Sequence, residues 1–159
     1  MNKRTKQVIF FFAFIALTLL VGYFASKLTG VSMSSAYLDI SNKPVFSPPA
    51  WIFAPVWTIL YILMGISAFL VWKLKDQKDI KKPLIFFFIQ LALNFLWSII
   101  FFGLGQHLWA FVEIIILLIM IIATTVSFSR ISKVSAYLFI PYILWVSFAS
   151  ILNLVIALK

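Results

Sequence analysis

The sequence predicts an all-α integral membrane protein built as a five-transmembrane-helix bundle, and three observations carry that prediction. Hydrophobic residues make up 64% of the 159 and charged residues only 11%, against roughly 45–50% and about 25% in a soluble domain. The mean hydropathy is +1.12, and the apolar residues are gathered into runs near the roughly 20 residues that a helix needs to cross a hydrocarbon core. Runs such as 114–122 also lack the polar residue at every second position that a membrane β-strand requires. With no cysteine and 5 glycines, a disulfide scaffold, thiol catalysis, Fe–S clusters and cysteine-ligated zinc are excluded. The net charge of +9 belongs to membrane topology and not to nucleic-acid binding.

Five stretches qualify as spans within a single membrane domain of residues 1–159: 8–25, 51–72, 84–104, 108–128 and 135–158. The first follows Lys3, Arg4 and Lys6 and ends at the small residue Ala25, a pattern shared with signal peptides. A retained helix with a basic flank is the simpler reading, because its removal would strip the bundle of a packing partner. The second opens on a proline-rich approach, with Pro48 and Pro49 suited to a helix start, where backbone N–H groups are unpaired anyway. Pro55 falls about one turn in.

The third span carries Gln90, Asn94, Trp97 and Phe101 at steps of four, three and four. These residues share one helix face. An amide facing lipid is costly, so this face points into the bundle, as interhelical glue or as the wall of a ligand pocket. The fourth span contains Glu113, a carboxylate expected near a helix N-terminus where the dipole favours it. His107 precedes this span and lacks the partners of a metal site or of a Ser/His/Asp triad. The fifth has a stripe of Trp145, Phe148, Ala149 and Leu152 with Asn153 at its edge, the small Ala149 leaving room beside Trp145 for a helix or a flat ligand. Pro141 marks a kink or a late start of this helix. No Walker or GxGxxG loop is present.

Basic residues give an orientation. Lys3, Arg4, Lys6, Lys73, Lys75, Lys78, Lys81, Lys82, Arg130 and Lys133 fall on one side of a five-span topology, and Lys27, Lys43 and Lys159 on the other. The positive-inside rule makes the first side cytoplasmic in a bacterial plasma membrane, with the 26–49 connection external. In an organelle outer membrane, such as that of a mitochondrion, the rule has less force. Of the six tryptophans, Trp51, Trp72 and Trp109 lie near span ends, where an aromatic belt is the default. Trp57, Trp97 and Trp145 lie deeper, as packing residues or ligand contacts, with indole N–H groups that need acceptors.

The run Lys43-Pro44, Pro48-Pro49-x-Trp51, Pro55-Val56-Trp57, Leu60-Tyr61 and Met64-Gly65 resembles the second helix of the translocator protein family. That family is also called the tryptophan-rich sensory proteins, or peripheral benzodiazepine receptors. Gln90-Leu91-Ala92-Leu93-Asn94, Trp97 and Phe101-Phe102-Gly103 resemble its third helix. Trp109-Ala110 and Ala123-Thr124-Thr125 resemble the fourth, and Pro141-Tyr142, Trp145, Phe148 and Leu152-Asn153 the fifth. The resemblance spans almost the whole chain and is weakest in the first helix.

It implies a five-helix bundle with a pocket opening toward the first connection. The ligands implied are porphyrins and haem, benzodiazepine- and isoquinoline-type drugs and, in animals, cholesterol. By motif position the pocket residues are Trp51, Ala54 and Trp57, then Asn94 and Trp97, Trp109, and finally Trp145, Ala149 and Leu152. The resemblance thus favours a pocket role for the Asn94 face. Leu154 stands where the animal cholesterol motif has Tyr, which puts cholesterol binding in doubt and marks a bacterial member. A homodimer is also implied, with no residue pattern to mark its face.

Three functions compete. A receptor or sensor would hold a flat, π-rich tetrapyrrole between aromatic faces, with Lys27 and Lys43 meeting its carboxylates. An enzyme would use Trp51 and Trp145 as redox partners of a photo-excited porphyrin and degrade it. A tetrapyrrole or lipid transporter would be unconventional, since no inverted repeat or broken-helix pair is evident. No metal and no covalent cofactor is expected; the porphyrin or haem is a ligand.

Overall fold

The computed structural model describes residues 2–29, 40 and 43–158. Most of the first connection (30–39, 41 and 42) and Lys159, which was counted among the external basic residues, lie outside the described residues. Five long helices follow in order: α1 (Lys3–Leu28), α2 (Phe53–Trp72), α3 (Lys81–Ser98), α4 (His107–Ser129) and α5 (Lys133–Ala157). All five are long and apolar enough to cross a membrane. Several begin or end a few residues outside the apolar runs, α1 at Lys3 and α3 at Lys81 for example. Backbone hydrogen bonding continues into polar residues at the membrane boundary, where composition no longer marks a span.

The helices form a ring in the order α1, α2, α5, α4, α3, with α3 closing back onto α1. α2 is the most enclosed and α1 the most lipid-exposed. On α1 only Phe14, Thr18 and Ala25 are buried. It nonetheless docks tightly on α2, because Gly65 lets the two backbones meet: a Cβ there would sit 2.6 Å from the Ile15 Cα. A glycine at such a crossing is the membrane counterpart of small-residue packing. The Thr18 hydroxyl then reaches across to the Tyr61 carbonyl at 2.7 Å. Ser67 similarly links α2 to α5 by donating to the Ser135 carbonyl at 2.8 Å.

Prolines and one glycine shape the ends. Pro49 precedes a 3₁₀ turn (Ala50–Ile52) that leads into α2, and Pro55 is the third residue of that helix, where its missing N–H costs nothing. Pro141 lies inside α5 with helix on both sides, so the helix starts at Lys133 and not at the proline. α3 passes into a π-helical turn (Ile99–Gly103), closed by Leu104 N–H donating to the Ile99 carbonyl at 2.9 Å. Gly105, with φ of 62°, is the only described residue with a positive φ and turns the chain into α4.

Candidate functional site

Two hydrogen-bonded knots of polar side chains join three helices each, at two levels of the bundle. Near mid-depth, Tyr61 on α2 donates its hydroxyl to Asn94 Oδ1 at 2.6 Å, and Asn94 Nδ2 donates to the Tyr142 hydroxyl at 2.9 Å. One amide thereby joins α2, α3 and α5. Asn94, Tyr61 and Tyr142 are all buried, and Trp57 packs against both tyrosines, with ring centroids 5.6 and 6.2 Å away. Toward the end where α3 finishes, Trp97 Nε1 donates to Asn153 Oδ1 at 3.1 Å. Asn153 in turn donates from Nδ2 to the His107 carbonyl at 2.8 Å. That second knot joins α3, α5 and the start of α4.

Beside the second knot lies an apolar gap lined by Phe53, Trp97, Phe101, Phe102, Ala149, Leu152 and Asn153. Its free volume is only about 10 Å³, far below the roughly 300–1,000 Å³ of small-molecule sites. Trp97 stacks on Phe101 at 5.0 Å and meets Phe102 edge-on at 5.7 Å. Aromatic side chains fill this end of the bundle.

On the other side of Phe53 is a much larger space. A groove of about 620 Å³ runs along the α2–α5 seam, lined by Pro48, Ile52, Val56, Ile59, Leu60, Pro141, Leu144, Trp145 and Phe148. Trp145 forms part of its wall and touches Phe53 edge-on at 5.8 Å. The Trp145 indole Nε1 is buried, yet no described group accepts its hydrogen. An N–H in a low-dielectric setting without an acceptor costs roughly 1–3 kcal/mol, so the side chain that forms this wall holds, behind its groove-facing surface, a donor unmet among the described residues.

The residues singled out by motif position therefore divide. Trp97, Ala149 and Leu152 meet around the gap, Trp145 lines the groove, and Trp57 and Asn94 belong to the mid-depth knot. Trp51 is 71% exposed and Trp109 66%, and Ala54 is also on the exposed surface. Phe53 and Phe102 were not singled out. Phe53 could have been, since it stands one helical turn before Trp57. Phe102 reaches the gap from the π-turn, which no 3.6-residue periodicity anticipates.

Glu113 departs from its sequence-based reading. It is the seventh residue of α4, beyond the first turn where a helix dipole acts. It is buried, and neither carboxylate oxygen has a hydrogen-bond partner among the described residues.

A profile of the TspO/MBR family matches residues 14–158. A "Tryptophan-rich protein TspO" from Chlorobaculum tepidum is 41% identical over 155 residues, covering 95% of this chain and 96% of that protein. A "Tryptophan-rich sensory protein" from Cereibacter sphaeroides is 33% identical over 138 residues, covering 86% and 85%. The human "Translocator protein" is 40% identical over 114 residues, covering 70% and 68%. With similarity running through all five helices, the chain is an integral membrane protein that belongs to the TspO/MBR family.

Proposed function

We propose that this protein is a membrane receptor that takes a flat aromatic ligand into the groove between α2 and α5. The ligand class is a tetrapyrrole, porphyrin or haem, or a benzodiazepine- or isoquinoline-type drug. The observation that carries the proposal is the buried Trp145 N–H, without an acceptor among the described residues, on a side chain that walls an apolar groove of about 620 Å³. A site of ligand size, mostly apolar and carrying one well-placed polar group, is the usual make-up of a small-molecule pocket. A turn of the Trp145 side chain would bring its buried N–H to a propionate, carbonyl or ether oxygen of a ligand whose macrocycle lies against Phe148. Phe53 stands between the groove and the inner gap, so its rotation would let a ligand reach Ala149 and Trp97. The sensory role named for the Cereibacter relative fits a protein whose ligand is bound and not turned over.

Protoporphyrin IX titrated into the purified protein, followed by tryptophan quenching, tests this directly. Saturable quenching at micromolar ligand is expected, and its absence overturns the proposal. Trp145→Phe keeps the aromatic surface and deletes the donor, so affinity should fall roughly 2–10-fold, the worth of one hydrogen bond of about 0.5–1.5 kcal/mol. Unchanged affinity would place the ligand elsewhere. The same samples, illuminated, distinguish a receptor from a light-dependent porphyrin-degrading enzyme. Loss of porphyrin absorbance that disappears in Trp51→Phe/Trp145→Phe would give these two residues a catalytic role.

A further inference from the structure

We propose that the hollow between the start of α1 and the end of α2 binds the phosphate headgroup of an anionic phospholipid. This hollow, of about 340 Å³, is lined by Lys3, Lys6, Gln7, Trp72, Lys73, Lys75 and Asp76. Four ammonium groups face one carboxylate. The first turn of α1 adds to the imbalance, since it contains no acidic residue and only the neutral Asn2 side chain caps it, at the Arg4 N–H, leaving the positive end of the helix dipole without a counter-charge on the turn. Within the fold these lysines repel one another and the helix start; an anion between them reverses the sign of every one of those interactions.

The other basic residues at this end of the bundle are placed differently. Lys78 donates to the carbonyls of Arg130 and Ile131, at 3.3 and 2.8 Å, and so closes the end of α4. Lys82 lies over the Phe86 ring. The α1–α2 lysines, by contrast, gather around a concavity.

Its floor is built for a membrane boundary. Trp72 stacks on Phe10 with ring centroids 4.1 Å apart, and Lys75 Nζ sits 4.1 Å from the Trp72 ring centre. This cation–π contact holds the ammonium over the indole while leaving it exposed. Immediately deeper along α1, Val8, Ile9, Phe10 and Phe12 are exposed apolar side chains, on a helix that faces lipid along most of its length. An anion with acyl chains attached matches both halves of this surface, the cationic hollow and the apolar strip below it. A soluble anion or an acidic peptide matches only the first. Basic pockets between helix ends at the membrane surface recognise lipid headgroups by this combination, with each lysine near the surface contributing roughly fivefold in affinity.

The test uses the full chain in phosphatidylcholine nanodiscs that contain a minor fraction of lipid brominated high on its acyl chains. Trp72 emission is isolated as the difference between the wild type and Trp72→Phe. Brominated phosphatidylglycerol should quench it at a several-fold lower mole fraction than brominated phosphatidylcholine. Lys3→Gln/Lys6→Gln/Lys73→Gln, which leaves Lys75 on its ring, should abolish that preference, and Lys81→Gln/Lys82→Gln should keep it. The wild type alone supplies a second measurement. Its preference should collapse between about 0.01 and about 1 M salt, as the Debye length falls from roughly 30 to roughly 3 Å. Equal quenching by the two lipids, or a preference that survives both the triple substitution and high salt, overturns the proposal. Displacement of the brominated phosphatidylglycerol by inorganic phosphate or by an oligoglutamate peptide at micromolar concentration would also overturn it, in favour of a soluble anion or an acidic partner.

Discussion

Single side chains in this bundle do two kinds of work, and Asn94 and Ala149 exemplify them. Asn94 bonds to tyrosines on two other helices, so Asn94→Ala leaves two hydroxyls without their partner in the interior. Interhelical hydrogen bonds in membranes average about 0.6 kcal/mol and reach about 1.7, which puts the loss at about 1–3 kcal/mol for the pair. Reversible unfolding in mixed micelles measures it, and an unchanged midpoint would show that the knot does not hold the helices. Ala149 lies beside a gap of about 10 Å³, too small for the extra heavy atoms of threonine. Ala149→Thr should therefore cost about 1–3 kcal/mol of overpacking and weaken porphyrin binding if a ligand enters past Phe53. Wild-type stability together with wild-type affinity would mean that the inner gap opens freely and that no ligand uses it.

At the scale of elements, α1 is held by close approach more than by burial, since so few of its side chains are enclosed. Gly65→Ala puts a Cβ within 2.6 Å of the Ile15 Cα and 2.9 Å of the Phe14 carbonyl oxygen. Neither atom is on a flexible side chain, so the helices must separate and the 2.7 Å bond from Thr18 to the Tyr61 carbonyl must lengthen. A destabilisation of about 1–3 kcal/mol is expected, with protease sensitivity appearing first in α1. Full retention of stability would be incompatible with this docking. The existence of all five helices was legible because length and apolar composition alone dictate a span. Gly65 was legible only as part of a motif, since no periodicity tells which helix a glycine meets. The π-turn after Ser98 had no signature in the sequence. Its extra residue per turn re-aims Phe102, so the aromatic filling of the inner gap was only half readable. Trp97 was correctly turned inward, but that its N–H finds Asn153 while the N–H of Trp145 finds no acceptor among the described residues depends on relative helix rotations that a one-dimensional pattern does not contain.

For the whole molecule, the ring of helices places two chemically different ends on opposite faces of the bilayer. One end carries Lys3, Lys6, Lys73 and Lys75 around the α1–α2 hollow, with Lys78 bonded to the Arg130 and Ile131 carbonyls and Lys133 at the start of α5. The other carries the start of α2, the exposed Trp51 and Trp109, and the groove mouth at Pro48. Lysine and arginine resist translocation, so the richer end should be cytoplasmic and the groove should open toward the outside. Thr5 and Val45 report this orientation. Both are exposed, Val45 fully, and they stand at opposite ends of α1 and its following connection. The chain has no cysteine of its own, so Thr5→Cys and Val45→Cys each introduce a single thiol. In intact cells an impermeant maleimide should label Cys at 45 and leave Cys at 5 untouched until the cells are lysed. The reverse pattern would invert the bundle and point the α2–α5 groove at the cytoplasm. Labelling of both before lysis would be incompatible with an odd number of spans between them.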